Sequence, residues 1–347
     1  MPYELPPDPS TARRTRVTRW VTFGLAALLV AAVAYFGYVG YEGSRQLTDA
    51  PSPTNDCRTP ATFGWTYEAI NYDVAGDAAL EAEADPTECT ARGATAGDAL
   101  TSSDDVPLAG WYVPAGSGAD PAAATVVLTH GWGSNKSQLL DRAAMLHDTY
   151  NLVLFDFRNH GQSGDASTTQ GVREARDLRA VLDWLESSKA PTSVAVLGVS
   201  MGGATALLEA AGDPRVAALV IESSHATLAN AVQARLERSG YPLAMPGSWA
   251  VLLGTLLRTG EDASTADPAQ AIASLDERPV LLVYGGADDT IGTDDGETLR
   301  AAAAEAGSPV ELETCPDAGH AESPEVCAEA YRGWMLGFLA RVLGTGG

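Results

Sequence analysis

The sequence predicts an α/β protein: a mostly parallel, doubly wound sheet of about eight strands, preceded by one transmembrane helix. Three observations predict it. Short, continuous Val-, Leu- and Ala-rich runs recur from residue 124 onward and alternate with longer helical patterns. Runs of that kind suit parallel strands covered on both faces, and their alternation with helices gives a wound sheet. Residues 20–41 carry no charge at all. Residues 194–203 read as an apolar run, then Gly-x-Ser-x-Gly, then the start of a helix.

The chain begins with a Pro-rich, then basic segment, in which Arg13, Arg14, Arg16 and Arg19 stand against Glu4 and Asp8. The uncharged residues 20–41 span about 33 Å as a helix, enough for a bilayer. Trp20 lies at one end and Tyr35, Tyr38 and Tyr41 at the other, as interfacial anchors do. A basic flank before the span and Glu42 after it describe a signal anchor on the cell membrane. Residues 1–19 then form a cytoplasmic tail, residues 20–41 meet the lipid bilayer, and the rest is extracytoplasmic. The competing reading is a signal peptide cleaved near Ala32-Val33-Ala34 and a secreted product, although that site lies inside the apolar run. Either way the part of the chain after the span leaves the cytoplasm.

Cysteine use agrees with export. Cys57, Cys89, Cys315 and Cys327 all follow the span, and an even number in an exported segment points to disulfides. Of the three possible pairings, the local one, Cys57–Cys89 with Cys315–Cys327, is expected. Neither the cysteines nor the five histidines show metal-ligand spacing, so no metal or cofactor is expected. The formal net charge of −23 and pI near 4.4 argue against a nucleic-acid partner, which wants a basic footprint.

Residues 42–62, rich in Gly, Ser, Pro, Thr and Asp, read as a linker. The globular domain, 63–347, opens with a strand over 65–72. Residues 73–105 are acidic and Ala/Gly-rich and read as an irregular insertion pinned by Cys89. Further strands are expected at 108–113, 124–128, 152–155, 193–197, 217–221, 280–284 and 310–313. Helices are expected near 137–148, 172–187, 201–212, 294–306 and 325–342. The longest interruption, 225–275, reads as a lid or cap with helices over 226–238 and 249–257. Its Leu243, Met245, Trp249, Leu252 and Leu256 are available to line a pocket or to pack the insert onto the sheet.

The chemistry starts from Ser200. A tight strand-to-helix turn needs Gly198 and Gly202, because side chains there would meet neighbouring backbone, and it leaves the serine hydroxyl exposed. A serine needs a base, and the base needs an orienting acid. After the 280–284 strand comes Gly285-Gly286-Ala287-Asp288-Asp289, where Asp288 is chosen over Asp289 as the acid. After the last strand comes Gly319-His320, the base. The order Ser, Asp, His, each after a strand, is that of nucleophile-elbow enzymes. For the oxyanion hole, Met201 N–H directly follows the nucleophile. A second donor should come from His130-Gly131-Trp132-Gly133, with Trp132 preferred over Gly131. His130 and His160 read as structural and His147 as surface or packing; His225 follows the strand bearing Glu222, and bordering the pocket is the lesser of its readings.

With those residues in place, the chain resembles the α/β-hydrolase superfamily. It resembles the short-lid serine hydrolases often grouped with serine aminopeptidase-like and membrane-anchored ABHD-type proteins. The matching motifs are HGWG at 130–133, DFRNHGQSG at 156–164, GVSMGG at 198–203, GGADD at 285–289 and GH at 319–320, spread over about residues 63–343. The chain departs from that pattern in the 73–105 insertion and at Gly292, where relatives commonly have Pro. The expected activity is hydrolysis of a small-molecule acyl ester or thioester through an acyl-enzyme. A serine peptidase or aminopeptidase is the alternative enzyme, and a non-catalytic cell-surface interaction module is the alternative of a different class.

Overall fold

In a computed structural model, residues 9–50, 58–70, 95–96, 100–116 and 123–344 are described. Chain order runs α1 (Pro9–Thr48), β1 (Glu68–Ile70), β2 (Thr95–Ala96), β3 (Gly110–Val113) and β4 (Thr125–Thr129). Next come α2 (Leu140–Leu146), β5 (Asn151–Phe155), α3 (Val172–Ser188), β6 (Val194–Val199), α4 (Met201–Gly212) and β7 (Val216–Glu222). The cap holds α5 (Leu228–Arg238), α6 (Ala244–Thr259) and α7 (Pro268–Ile272). The chain closes with β8 (Val280–Gly285), α8 (Thr293–Ala306), β9 (Val310–Cys315), α9 (Ser323–Val326) and α10 (Ala328–Leu343).

The strands form one sheet in the order β2-β1-β3-β5-β4-β6-β7-β8-β9. β3 is antiparallel to both of its neighbours, and every other pairing is parallel. All eight expected strands are present. The ninth, β2, is two residues within what reads as an irregular insertion, too short to carry a periodic signal. Cys57, Cys89 and most of the insertion lie outside the described residues, and so does the expected Cys57–Cys89 pairing.

Period-two alternation divides each central strand between two cores. Val126, Leu128, Leu152, Leu154, Leu281 and Val283 face α2 and α10. Val127, Val153, Phe155, Val196, Leu282 and Tyr284 face α3, α4, α7 and α8. The covering helices answer with their own period. Leu178, Val181, Leu182 and Leu185 of α3 and Tyr331, Met335, Phe338 and Leu339 of α10 are all buried, at the i, i+3, i+4, i+7 or i, i+4, i+7, i+8 spacing of one helix face. Full burial of each such side chain contributes about 1.5–3 kcal/mol.

The N-terminal helix differs from the linker reading. α1 runs on through Thr48 rather than ending near Tyr41. Residues 42–48 dock on the domain: Ser44, Leu47 and Thr48 are buried, Thr168 Oγ1 donates to the Leu47 carbonyl at 2.6 Å, and Thr168 N–H donates to that of Thr48 at 3.0 Å. Gly43 and Ser44, which read as linker residues, are small because α6 lies against them. The stretch Thr18–Thr48 is long and apolar enough to cross a membrane, and none of its most apolar window is buried.

Candidate active site

The wound sheet places three loops at the carboxyl ends of β6, β8 and β9. Ser200 sits between β6 and α4 at φ 54°, ψ −118°, a strained conformation for a residue with a Cβ. The surroundings hold it there. Ser200 N–H donates to the Glu222 carbonyl at 2.8 Å, and its own carbonyl accepts from Ala204 N–H at 3.1 Å. A Cβ at Gly198 would lie 2.6 Å from the Gly202 carbonyl oxygen, and one at Gly202 would lie 2.6 Å from that of His130. The elbow therefore excludes side chains at both glycines.

Asp288 and His320 converge on this serine. His320 Nε2 is 3.0 Å from Ser200 Oγ, and its Nδ1 is 2.8 Å from Asp288 Oδ2. The other Asp288 oxygen accepts backbone N–H groups from Thr290 at 2.8 Å and Ile291 at 2.9 Å. Burial acts to raise the Asp288 pKa. The His320 contact and those two backbone donors outweigh it and hold the carboxyl below its usual value. An ionised carboxylate only accepts, so Nδ1 carries the proton and Nε2 is free to accept from the serine hydroxyl. Asp289 is exposed and accepts at 3.4 Å from Thr290 Oγ1, a turn contact. Gly292 follows at φ −75°, an angle proline also adopts, so the departure from Pro there leaves the acid turn unchanged. A disulfide, Cys315–Cys327, closes the segment that carries His320.

The loop after β4 lies beside the serine: a Cβ at Gly131 would be 3.3 Å from Ser200 Cβ. His130 fixes its orientation. Its Nε2 accepts Phe157 N–H at 3.0 Å, so its Nδ1 is the donor to the Gly131 carbonyl at 2.8 Å. A trans peptide carries its N–H opposite its C=O, so Trp132 N–H points away from His130. His160 braces the same loop, accepting Gly133 N–H at 3.0 Å while its other nitrogen donates to the Arg158 carbonyl at 2.7 Å. Burial lowers the pKa of both rings, that of His130 to about 3. Neutral imidazoles are what these single-donor, single-acceptor positions require. Met201, at the first turn of α4, borders the pocket beside Ser200.

Beneath the site lies a buried network that sequence reasoning did not assemble. Glu222, at the end of β7, receives Arg142 Nε at 2.8 Å, Arg142 Nη2 at 3.0 Å and Tyr331 O–H at 2.9 Å. The same Arg142 Nη2 donates at 2.7 Å to the carbonyl of Ala321, the residue after His320. Ala321 has φ +59°, and its N–H donates to Ser223 Oγ at 3.2 Å. Glu222 thus holds Ser200 through its carbonyl and the His320 loop through its carboxylate. Only the Glu222 strand end is visible in sequence; Arg142 and Tyr331 come from distant helices with nothing local to mark them. Two further buried clusters pin the 156–164 loop: Asp156 with Lys136, and Arg158 with Asp177 and Asp104.

A cavity of about 270 Å³ rises from Ser200, Met201, Trp132 and His320 toward α5 and α1. His225 is on its wall, and its Nε2 is buried with no hydrogen-bond partner among the described residues. The cap residues behave otherwise than the pocket reading. Leu243, Met245, Trp249 and Leu256 are exposed, and Leu252 is buried in the core of the cap. The reason is the rotation of α6, which turns Gly247, Val251 and Gly254 toward α1 and its large side chains outward.

Residues 126–330 match the alpha/beta hydrolase family. Among curated proteins, the chain is 27% identical over 260 residues to the uncharacterized protein YfhR of Salmonella typhi, covering 70% of this chain and 81% of that one. It is 33% identical over 226 residues to an uncharacterized protein of Mycobacterium tuberculosis, covering 64% and 71%. Among solved structures it resembles the Pyrococcus furiosus esterase Pf2001, with a TM-score of 0.64 at 22% identity over 86% of this chain and 99% of that one.

Proposed function

Because the chain belongs to the alpha/beta hydrolase family, we propose that it is a serine hydrolase acting on a carboxylic ester or thioester. The observation that carries this reading is the unbroken hydrogen-bonded chain Ser200–His320–Asp288, at 3.0 and 2.8 Å, at the floor of a pocket.

Ser200 Oγ attacks the acyl carbonyl carbon while His320 Nε2 takes the hydroxyl proton. Asp288 keeps the imidazole in the reactive tautomer and stabilises the imidazolium. The N–H groups of Met201 and Trp132 receive the oxyanion. His320 then gives its proton to the leaving alcohol or thiol, and a water activated by the same ring releases the acyl group. Esters and thioesters have good leaving groups and ask least of that proton donor. The apolar part of α1 holds the protein to the membrane, with residues 1–19 in the cytoplasm and the site outside. The basic flank before the span and Glu42 directly after it support that orientation.

The test is hydrolysis of a p-nitrophenyl ester panel beside a panel of aminoacyl amides, by the full chain in detergent. The reading expects ester turnover that Ser200→Ala removes. Faster cleavage of the amides would make the protein a peptidase. A folded protein inert on both panels would make it a non-catalytic module.

A further inference from the structure

We propose that the cap helix α6 lies in the membrane interface beside α1, and that the pocket over Ser200 takes its substrate, a single-chain acyl ester lipid, from the bilayer. This rests on the hydrolase reading and on α1 as a membrane anchor.

α6 runs along the upper part of α1 in the same direction. Tyr35 O–H donates to the Pro242 carbonyl just before α6. Further along, Gly247 lies against Val39, Ala250 against Gly40, and Gly254 against Ser44. The approach is close: a Cβ at Gly40 would be 2.6 Å from the Ala250 carbonyl oxygen, and one at Gly254 would be 2.8 Å from Ser44 Oγ. Contact through small residues at this distance is how helices associate where water supplies no driving force.

The register sets a depth. Tyr35 is six residues before Tyr41, the end of the uncharged span, so the start of α6 sits about 9 Å below that end. That depth is within the headgroup and acyl boundary, about 5–10 Å, which apolar faces enter, and from there α6 rises beside α1 toward Ser44. The outward face of α6 fits this position. Met245, Trp249, Leu253 and Leu256 follow one another at i, i+4, i+8 and i+11, and all are exposed, as are Leu243 before them and Leu257 after. Residues 239–257 contain no charge. The first charge, Arg258, lies 5.2 Å over the Tyr41 ring and donates to the Tyr41 carbonyl at 3.3 Å. A continuous apolar stripe of this length is foreign to a solvated surface. Earlier along α1, Leu25, Leu28, Leu29, Val30 and Val33 are exposed as well, and the bilayer is the one occupant that suits both sets of side chains.

The pocket runs from the nucleophile to α1 and to the inward side of α6, where Val251 lines it. Val39, Gly43 and Leu47 of α1 form one wall, and Ser239 and Tyr241, adjoining the Pro242–Tyr35 contact, form the far end. The membrane anchor is therefore part of the acyl site. About 270 Å³ lies just below the usual range for small-molecule sites, roughly 300–1,000 Å³, which suits one acyl chain rather than two. Glu42, Arg235 and Arg238 also line it, at the place a polar headgroup would occupy. In the reaction the ester C–O bond breaks as the Ser200 Oγ–carbonyl bond forms. The headgroup alcohol leaves with the proton from His320, and water then releases the fatty acid.

The test uses the full chain in vesicles of phosphatidylcholine and phosphatidylglycerol. The variant is Leu243→Gln/Met245→Gln/Trp249→Gln, whose side chains are exposed and whose fold p-nitrophenyl acetate hydrolysis reports. The proposal expects acetate turnover within about twofold of wild type, and turnover of a monoacylglycerol carried in the vesicles to fall about tenfold or more. It also expects lipids brominated on their chains to quench a fluorescence component that Trp249→Phe removes. An unchanged monoacylglycerol rate, or a Trp249 that those lipids do not quench, overturns it. So does a variant that turns a detergent-solubilised dimer into a monomer with no quenching in wild type, because the face then joins two copies of the chain. If Ser200→Ala keeps acetate turnover, the hydrolase reading fails by itself, and the quenching still decides where α6 lies.

Discussion

Arg142 is the residue whose removal should most clearly separate positioning from chemistry. Its guanidinium is buried against Glu222, whose side chain has no exposure at all; it makes no hydrogen bond to Ser200 and is absent from the wall of the 270 Å³ cavity, although it borders the neighbouring one that Ser200 and His320 share. Burial acts to lower its pKa, and the Glu222 charge outweighs that and raises it. Arg142→Met keeps much of the volume but leaves the Glu222 carboxylate without its cation. Breaking a buried pair in this way costs about 3–5 kcal/mol, a large part of the roughly 5–15 kcal/mol that holds a typical domain. It also removes the 2.7 Å hydrogen bond to the Ala321 carbonyl. A displacement of His320 by about 1 Å should lower kcat about 100-fold, with KM little changed. The cost should be recovered in part by Arg142→Met/Glu222→Gln. That double variant removes the stranded charge and leaves an amide oxygen for Tyr331 O–H. Urea unfolding in detergent and p-nitrophenyl ester kinetics measure both effects. A single variant within about 1 kcal/mol of wild type, or a double variant as unstable as the single, refutes the reasoning.

The other expectations concern the cross-link and pH. Cys315→Ser/Cys327→Ser opens a loop of sequence separation 12, which chain entropy values at about 3 kcal/mol. Because that loop carries His320, kcat should fall together with Tm, and reductant should do the same to wild type; an unchanged Tm contradicts this. His130 and His225 are held neutral by burial, with pKa values lowered to about 3 and about 4. The unfolded chain, with ordinary histidines near 6.5, binds more protons over that interval. Stability should therefore fall as pH drops from about 6.5 toward 4, by up to about 1.4 kcal/mol per pH unit for each ring. His225→Gln should flatten the slope by one ring's share in a pH series of thermal melts, and an unaltered slope counts against the assignment.

Much of this architecture is written in local pattern. The parallel strands were legible because burial on both faces makes each a continuous apolar run, as in Val194–Val199. Ser200, Asp288 and His320 were legible because each sits in a turn of small residues directly after such a run. What escaped has a physical reason in each case. β2 has two residues, below any period. Residues 42–48 carry the small residues of a linker, yet Gly43 and Ser44 are small to admit α6. Leu243, Met245 and Trp249 are apolar yet face outward, and composition alone does not tell an inward from an outward face. Arg142 and Tyr331 meet Glu222 from α2 and α10, and a contact spanning 80 or 109 residues leaves no local trace.

The proposed hydrolysis depends on Ser200 as an activated nucleophile. The most direct measurement is to treat the full chain with a fluorophosphonate and map the adduct by peptide mass spectrometry. The expected result is one phosphonylated residue, Ser200, with labelling lost in Ser200→Ala and strongly reduced in His320→Ala. A folded protein that takes up no label, or one labelled equally well after Ser200→Ala, contradicts the account.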